Sequence, residues 1–179
     1  MSISSELRKL RLRRPTLLQI EEVNRLVEIE ENDRGAAILA ATLIDTTLSY
    51  AIKKRMPGGA TYGRLFESGG PLSTIDAKIL VAYGLDIFKA DTYHDLDILR
   101  HVRNTFAHAP SPVSFKTPEI ANACMTLRSS SLRTARQKFT ATCYLISIAL
   151  VEYGAACERI TAGSLDPSEF VAVTPEPLQ

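Results

Sequence analysis

The residues in this chain best suited to chemistry lie on one stretch, Asp91 to His108. All three histidines, His94, His101 and His108, fall there at intervals of seven residues. Seven residues is nearly two helical turns, so on a helix they share a face. Asp97 and Asn104 fall on the same stripe, three or four residues from a histidine, and Arg100 and Arg103 flank it. Histidine exchanges a proton near neutral pH, and arginine offers a charged fork for phosphate oxygens. Together they fit cleavage of a phosphodiester without metal, in which RNA's own 2′-hydroxyl attacks. The plain alternative is a solvated polar face on a bundle helix.

The run Arg103-Asn104-Thr105-Phe106-Ala107-His108 closes this stretch and is the candidate site. It carries a geometric condition. Residues five apart stand about 140° apart around an unbroken helix. Arg103 and His108 therefore converge only if the helix ends near Ala107 or a second subunit supplies the partner group, as a two-fold axis allows. Metal binding is not expected. Histidines seven apart are separated by about 10.5 Å along the axis, and three or four convergent ligands are lacking. No cofactor is expected either, because Gly58-Gly59 and Gly69-Gly70-Pro71 lack a P-loop lysine or a dinucleotide-binding pattern. Asp45, set among Leu43, Ile44 and Leu48, needs a partner if buried. Arg103 or Arg100 is the expected one, and water the alternative.

The elements that must hold these residues read as helices. A first runs from Pro15 or Thr16 to Ile29. Asp33 is placed to cap a second, from Arg34 to about Lys54, whose Ala36, Ala37, Ala40 and Ala41 allow close approach of a neighbour. Pro57-Gly58-Gly59 stops it, Thr61–Ser68 holds one short turn, and Gly69-Gly70-Pro71 punctuates. A third helix follows Ser73 with Ile75, Ile79, Leu80 and Tyr83 on its apolar side and Gly84 at its end. The central helix, about Asp91 to Ala107, turns Leu96, Leu99, Val102 and Phe106 inward. Thr117-Pro118 opens a short helix to about Leu127, and the last covers about Leu132 to Ile160. With no strand series or repeat, the expected fold is an all-α bundle of about five to seven helices.

The chain has 179 residues, the size of a single domain. The expected division is a basic arm at 1–14, one helical domain at 15–162 and a tail at 163–179. The arm holds a local charge of +4 and the remainder −3, for a total of +1. So small a total excludes a general nucleic-acid coating protein, although the arm could touch phosphate locally. Three scattered cysteines argue against a disulfide framework and fit a reducing cytoplasm. The apolar stretch Gly35–Leu48 is broken by Asp45 and Tyr144–Val151 is short, so neither approaches the roughly 20 apolar residues of a membrane span. No secretory signal is read.

Several stretches resemble the mannitol operon repressor (MltR)-like proteins. They are Asp33-Arg34-Gly35-Ala36 with Leu43-Ile44-Asp45, then Leu65 to Ser73, Ala82-Tyr83-Gly84-Leu85, Arg103 to His108, and Ser114-Phe115 leading to Ile120 and Cys124. Together they span about Glu31 to Leu127. The arginine-asparagine-three-residues-histidine run is also similar to the signature of the wider HEPN group, whose members are helical, often dimeric, and frequently metal-independent ribonucleases. These resemblances imply an MltR-like or HEPN-like helical fold. By position they imply catalytic roles for Arg103 and His108, with Asn104 shaping the site or binding phosphate. Asp45 matches an acidic position in the family's second helix, and Arg100, His101 and Asp97 are assigned supporting roles around the motif. The chain departs from the family's third-helix run, with Ile75 and Asp76 in place of phenylalanine and serine and Lys78 where arginine is common.

The function implied is a transcription-associated regulator or interaction protein; the alternative is a ribonuclease of the toxin–antitoxin or defence kind. No helix-turn-helix is persuasive. A central helix bearing Asp91, Asp95 and Asp97 argues against direct DNA reading. The expected partners are a second copy of the chain and either a protein or RNA.

Overall fold

A computed structural model describes residues 15–163 apart from 57, 59–61, 129–131 and 133. The basic arm and nearly all of the tail lie outside the described residues. Among the described residues seven helices follow one another: α1 (Leu17–Ile29), α2 (Asp33–Arg55), α3 (Tyr62–Leu65), α4 (Ile75–Gly84), α5 (Ala90–His108), α6 (Pro118–Met125) and α7 (Ala135–Thr161). The architecture is an all-α bundle.

Local chemistry sets most of the boundaries. Thr16 with Gln19 and Thr134 with Gln137 form reciprocal capping boxes that start α1 and α7. The second box explains why α7 begins at Ala135 rather than near Leu132. The cap of α2 is Asn32, not Asp33: its Oδ1 accepts from the backbone N–H groups of Arg34 and Gly35 at 2.9 and 3.3 Å. Asp33 is thereby free to bond elsewhere. Thr117 does not cap α6 with its side chain; its hydroxyl accepts from the Ser114 N–H at 3.1 Å instead, with Pro118 opening the helix. Gly84 is the last residue of α4, but the left-handed conformation past its end falls on Asp86, at φ 54°.

α2 and α7 pack along each other at the centre, with α1, α5 and α6 around them and α4 against α2 and α5. Both central helices are long and apolar enough to cross a bilayer by length and composition, but 61% of the apolar window of α2 and 50% of that of α7 are buried inside the bundle. Ala36, Ala37, Ala40 and Ala41 are all buried, as close packing requires. The approach is close at Gly154, where an added Cβ would lie 2.3 Å from the Tyr50 ring.

Leu96, Leu99, Val102 and Phe106 of α5 all enter the core. Phe106 meets Phe115 with centroids 4.8 Å apart, and Phe115 meets Phe139 at 5.4 Å, joining α5 to α7 through the segment that follows α5. The apolar side expected for α4 is only partly internal. Ile79 is buried, but Leu80 and Tyr83 are 53% and 44% exposed.

Candidate functional site

α5 is continuous from Ala90 through His108, and its backbone turns away at Ala109. His94, His101 and His108 are exposed along its outer face, so the periodic stripe is real. At its middle Arg100 forms a hub. Its Nη2 lies 2.6 Å from Asp97 Oδ1 and 2.8 Å from His101 Nε2, while Nε lies 3.2 Å from Asp76 Oδ1 on α4. Asp97, Arg100 and His101 thus form one connected group that ties α5 to α4.

Arg103 is half-buried and its Nη1 donates to Asn104 Oδ1 at 2.9 Å. Because the helix does not break before His108, the backbone positions of Arg103 and His108 keep their separation of about 140°. The Asn104 bond offsets part of this. Asn104 and His108 are four residues apart, about 40° around the helix, and the Arg103 head is drawn toward that side. The structure therefore brings Arg103 and Asn104 together and sets His108 one turn beyond.

Asp45 does not pair with Arg103 or Arg100. Its Oδ1 accepts from Lys78 Nζ of α4 at 2.6 Å, with the Lys78 side chain 6% exposed and that of Asp45 45% exposed. Packing of α4 against α2 is what places the lysine there. The signal in the sequence was the departure itself, a lysine where the resembling family carries arginine.

The side chains that fix the end of α5 include Arg34 and Arg136, together with Asp33, which was expected only to cap α2. Arg34 Nη2 donates to the Ala109 carbonyl at 2.9 Å. The Asp33 carboxylate accepts from the Phe115 N–H at 2.9 Å and from Arg136 Nη1 at 2.8 Å. Arg136 in turn donates to the carbonyls of Val27, Glu30 and Glu31, closing the end of α1. Asp33-Arg34 belongs to the stretches that carry the family resemblance, which was the available clue. At the other end of α5, Arg128 pairs with Asp91 at 3.2 Å and with buried Asp95 at 2.8 Å. With Asp97 paired to Arg100, all three acidic residues weighed against DNA contact have an arginine partner, though the single charge of Arg128 offsets only one of its two carboxylates.

Among the described residues no three histidine, cysteine, aspartate or glutamate side chains converge as a metal site would need. A shallow cleft lined by Arg64, Glu67, Ser68 and Gly69–Pro71 involves no residue of α5.

The fold and the site define an all-α bundle with a polar, histidine-bearing helix face. The sequence model of the mannitol repressor family matches residues 61–143, from just before α3 into the first third of α7 and including all of α5. α1 and α2, with Asp33, Arg34 and Asp45, lie outside the matched span. No curated protein and no solved structure matches the chain. The likeness to HEPN ribonucleases rests on the six residues Arg103–His108 alone.

Proposed function

We propose that the chain is a regulatory interaction protein of the mannitol repressor type, acting as a homodimer through protein contacts rather than by reading DNA. The observation that carries this reading is the family match over residues 61–143, which holds both α4 and α5. The surface of those helices supports it. Leu80 and Tyr83 stand exposed on α4, Tyr83 meets Tyr93 of α5 in a tilted contact with centroids 4.9 Å apart, and Arg100 of α5 reaches α4 through Asp76. An apolar, aromatic patch next to internally paired charges suits a protein partner. Phosphate binding would call for unpaired cations, and Arg100 and Arg128 are both committed to carboxylates.

The reading is tested by light scattering after gel filtration and by pulldown with the wild type and the double variant Leu80→Ser/Tyr83→Ser. Expected are a dimer and a specific protein partner for the wild type, with at least one of these contacts weakened in the folded variant. Direct, sequence-specific binding of operator DNA by the purified chain would overturn it.

A second reading, metal-independent cleavage of single-stranded RNA, is favoured by the Arg103–Asn104 bond, which turns the guanidinium toward the His108 side of α5. In that reading Arg103 binds the phosphate, His108 moves the proton, and the partner subunit's copy of the motif completes the site. Purified protein then cleaves single-stranded RNA in EDTA, leaving cyclic phosphate ends, and both R103A and H108A lose the activity. Cleavage that survives in both variants rules out this site.

A further inference from the structure

The outer face of α1 carries apolar side chains that the bundle leaves uncovered. Ile20 and Val27 are buried, but Leu18 and Ile29 are each 75% exposed and Leu26 is 48% exposed. At 100° per residue these three fall within an arc of about 80° on the side opposite Val27. Gathered this way they form a patch rather than scattered surface residues. Glutamates line it. The stretch Leu17–Glu31 holds five glutamates against Arg25, a local charge of −4. Glu21, Glu22 and Arg25 are exposed, and among the described residues none of them has an ion-pair partner.

We infer that this face is the dock of the chain's own basic arm, residues 1–14, which lie outside the described residues. The sequence of the arm complements the face in both respects. Ile3, Leu7 and Leu10 stand four and three residues apart, a spacing that a helix gathers on one side. The arm's charge of +4 answers the −4 of Leu17–Glu31. The junction permits a reversal. Pro15 disfavours helical backbone at the residue before it, and Thr16 caps α1 from an extended conformation, at φ −117° and ψ 157°. One straight helix therefore does not run from the arm into α1, and a short connector of this kind joins the two arms of an αα-hairpin. Length fits as well: a helix of residues 1–14 reaches about 21 Å, against about 20 Å from Thr16 to Ile29. Attachment directly before α1 gives the arm a high effective concentration at this face. Other occupants fit worse. The α1 of a second copy would set glutamates against glutamates, and residues 164–179 carry Asp166, Glu169 and Glu176 with no lysine or arginine. This inference is independent of either reading of α5.

The test places a nitroxide on Ser4→Cys in the full-length chain, the three native thiols being buried, and reads the paramagnetic broadening of backbone amide signals. Expected is a several-fold loss of signal at residues 25–29, recovered when the nitroxide is reduced and smaller in high salt. Leu18→Ser/Ile29→Ser alters only exposed side chains, so the fold is kept, as circular dichroism checks, and the signals of residues 25–29 should return. Glu21→Gln/Glu22→Gln should recover them in part. The proposal is overturned if residues 25–29 keep their intensity with the arm labelled, or lose it equally in folded Leu18→Ser/Ile29→Ser. Equal loss in Glu21→Gln/Glu22→Gln removes the role given to those charges. A mixture of nitroxide-bearing chains with isotope-labelled chains that bear none should leave these signals intact. Broadening in that mixture assigns the docked arm to a neighbouring copy and overturns the intramolecular dock.

Discussion

At the residue scale, Asn104 decides where the charge of Arg103 sits. A lone arginine on that side of α5 would extend between neighbouring helices; the 2.9 Å bond to Asn104 Oδ1 swings it around the axis toward His108. Asn104→Ala releases it. If the motif cleaves RNA, that variant loses most of its activity, since the phosphate ligand moves off the side on which His108 acts. Its stability changes by only about 0.5–1.5 kcal/mol, the usual net worth of one such bond. Parallel cleavage and urea-unfolding measurements separate the two effects; an active Asn104→Ala removes the positioning role. His101 is a different case from its stripe neighbours. Arg100 donates to its Nε2 and Asp97 lies close by, so its place is in the α4–α5 tie.

At the scale of elements, position depends on a few side chains that close helix ends against other helices. Arg136 of α7 satisfies carbonyls at the end of α1 and pairs with Asp33 at the start of α2, so one guanidinium joins three helices. Arg34 holds the carbonyl that follows α5. Arg136→Ala leaves those carbonyls and a partly buried carboxylate unpaired. It should cost about 2–3 kcal/mol, more than the roughly 1 kcal/mol expected for removing the α7 cap with Thr134→Ala. Denaturant midpoints rank the two. Hydrogen exchange should show the loosening of Arg136→Ala at the end of α1 and around Phe115; equal costs with no such pattern would remove the cross-helix role. The same logic explains why Asp33 does not cap its own helix. Asn32 already does so, and Asp33 is the group within reach of Phe115 and Arg136.

Across the whole molecule, the buried thiols tie stability to pH. Burial raises the Cys124 thiol to about 12 and holds Cys143 well above the ordinary thiol range, with the neighbouring Cys124 adding to the second shift. Cys157 is also raised, again by burial. An unfolded chain releases these protons near pH 9 while the folded chain keeps them. Above that pH the unfolded state binds fewer protons, so stability falls as pH rises, by up to about 1.4 kcal/mol per pH unit for each thiol. Lys53 works in the opposite sense: its lowered pKa means that the folded chain gives up a proton the unfolded chain keeps up to about 10.5. Three thiols outweigh one amine. Urea midpoints should hold steady from pH 7 to 8.5 and drop clearly by pH 10. A midpoint that rises over that interval would contradict the thiol assignment. The thiols should also resist iodoacetamide in the native protein at pH 8 and react once it is unfolded.

What the sequence determined by itself was the list of helices, their punctuation and the inward stripe of α5. These follow from periodicity, caps and prolines, which act within a few residues along the chain. The run from Arg103 to His108 was legible for the same reason, as was the condition that its ends diverge on an unbroken helix. The tertiary structure decided matters that depend on which helices become neighbours. Lys78 rather than an arginine reaches Asp45 because α4 lies against α2. Leu80 and Tyr83 stay partly exposed because that side of α4 is covered only in part, by Tyr93 and Phe88 against Tyr83, although in sequence they continue its apolar pattern. Arg34, Asp33 and Arg136 meet residues 75 to 109 positions away, and no local pattern encodes contacts at that separation. A side chain's type fixes what it can bond, and the packing of the helices fixes which partner it finds.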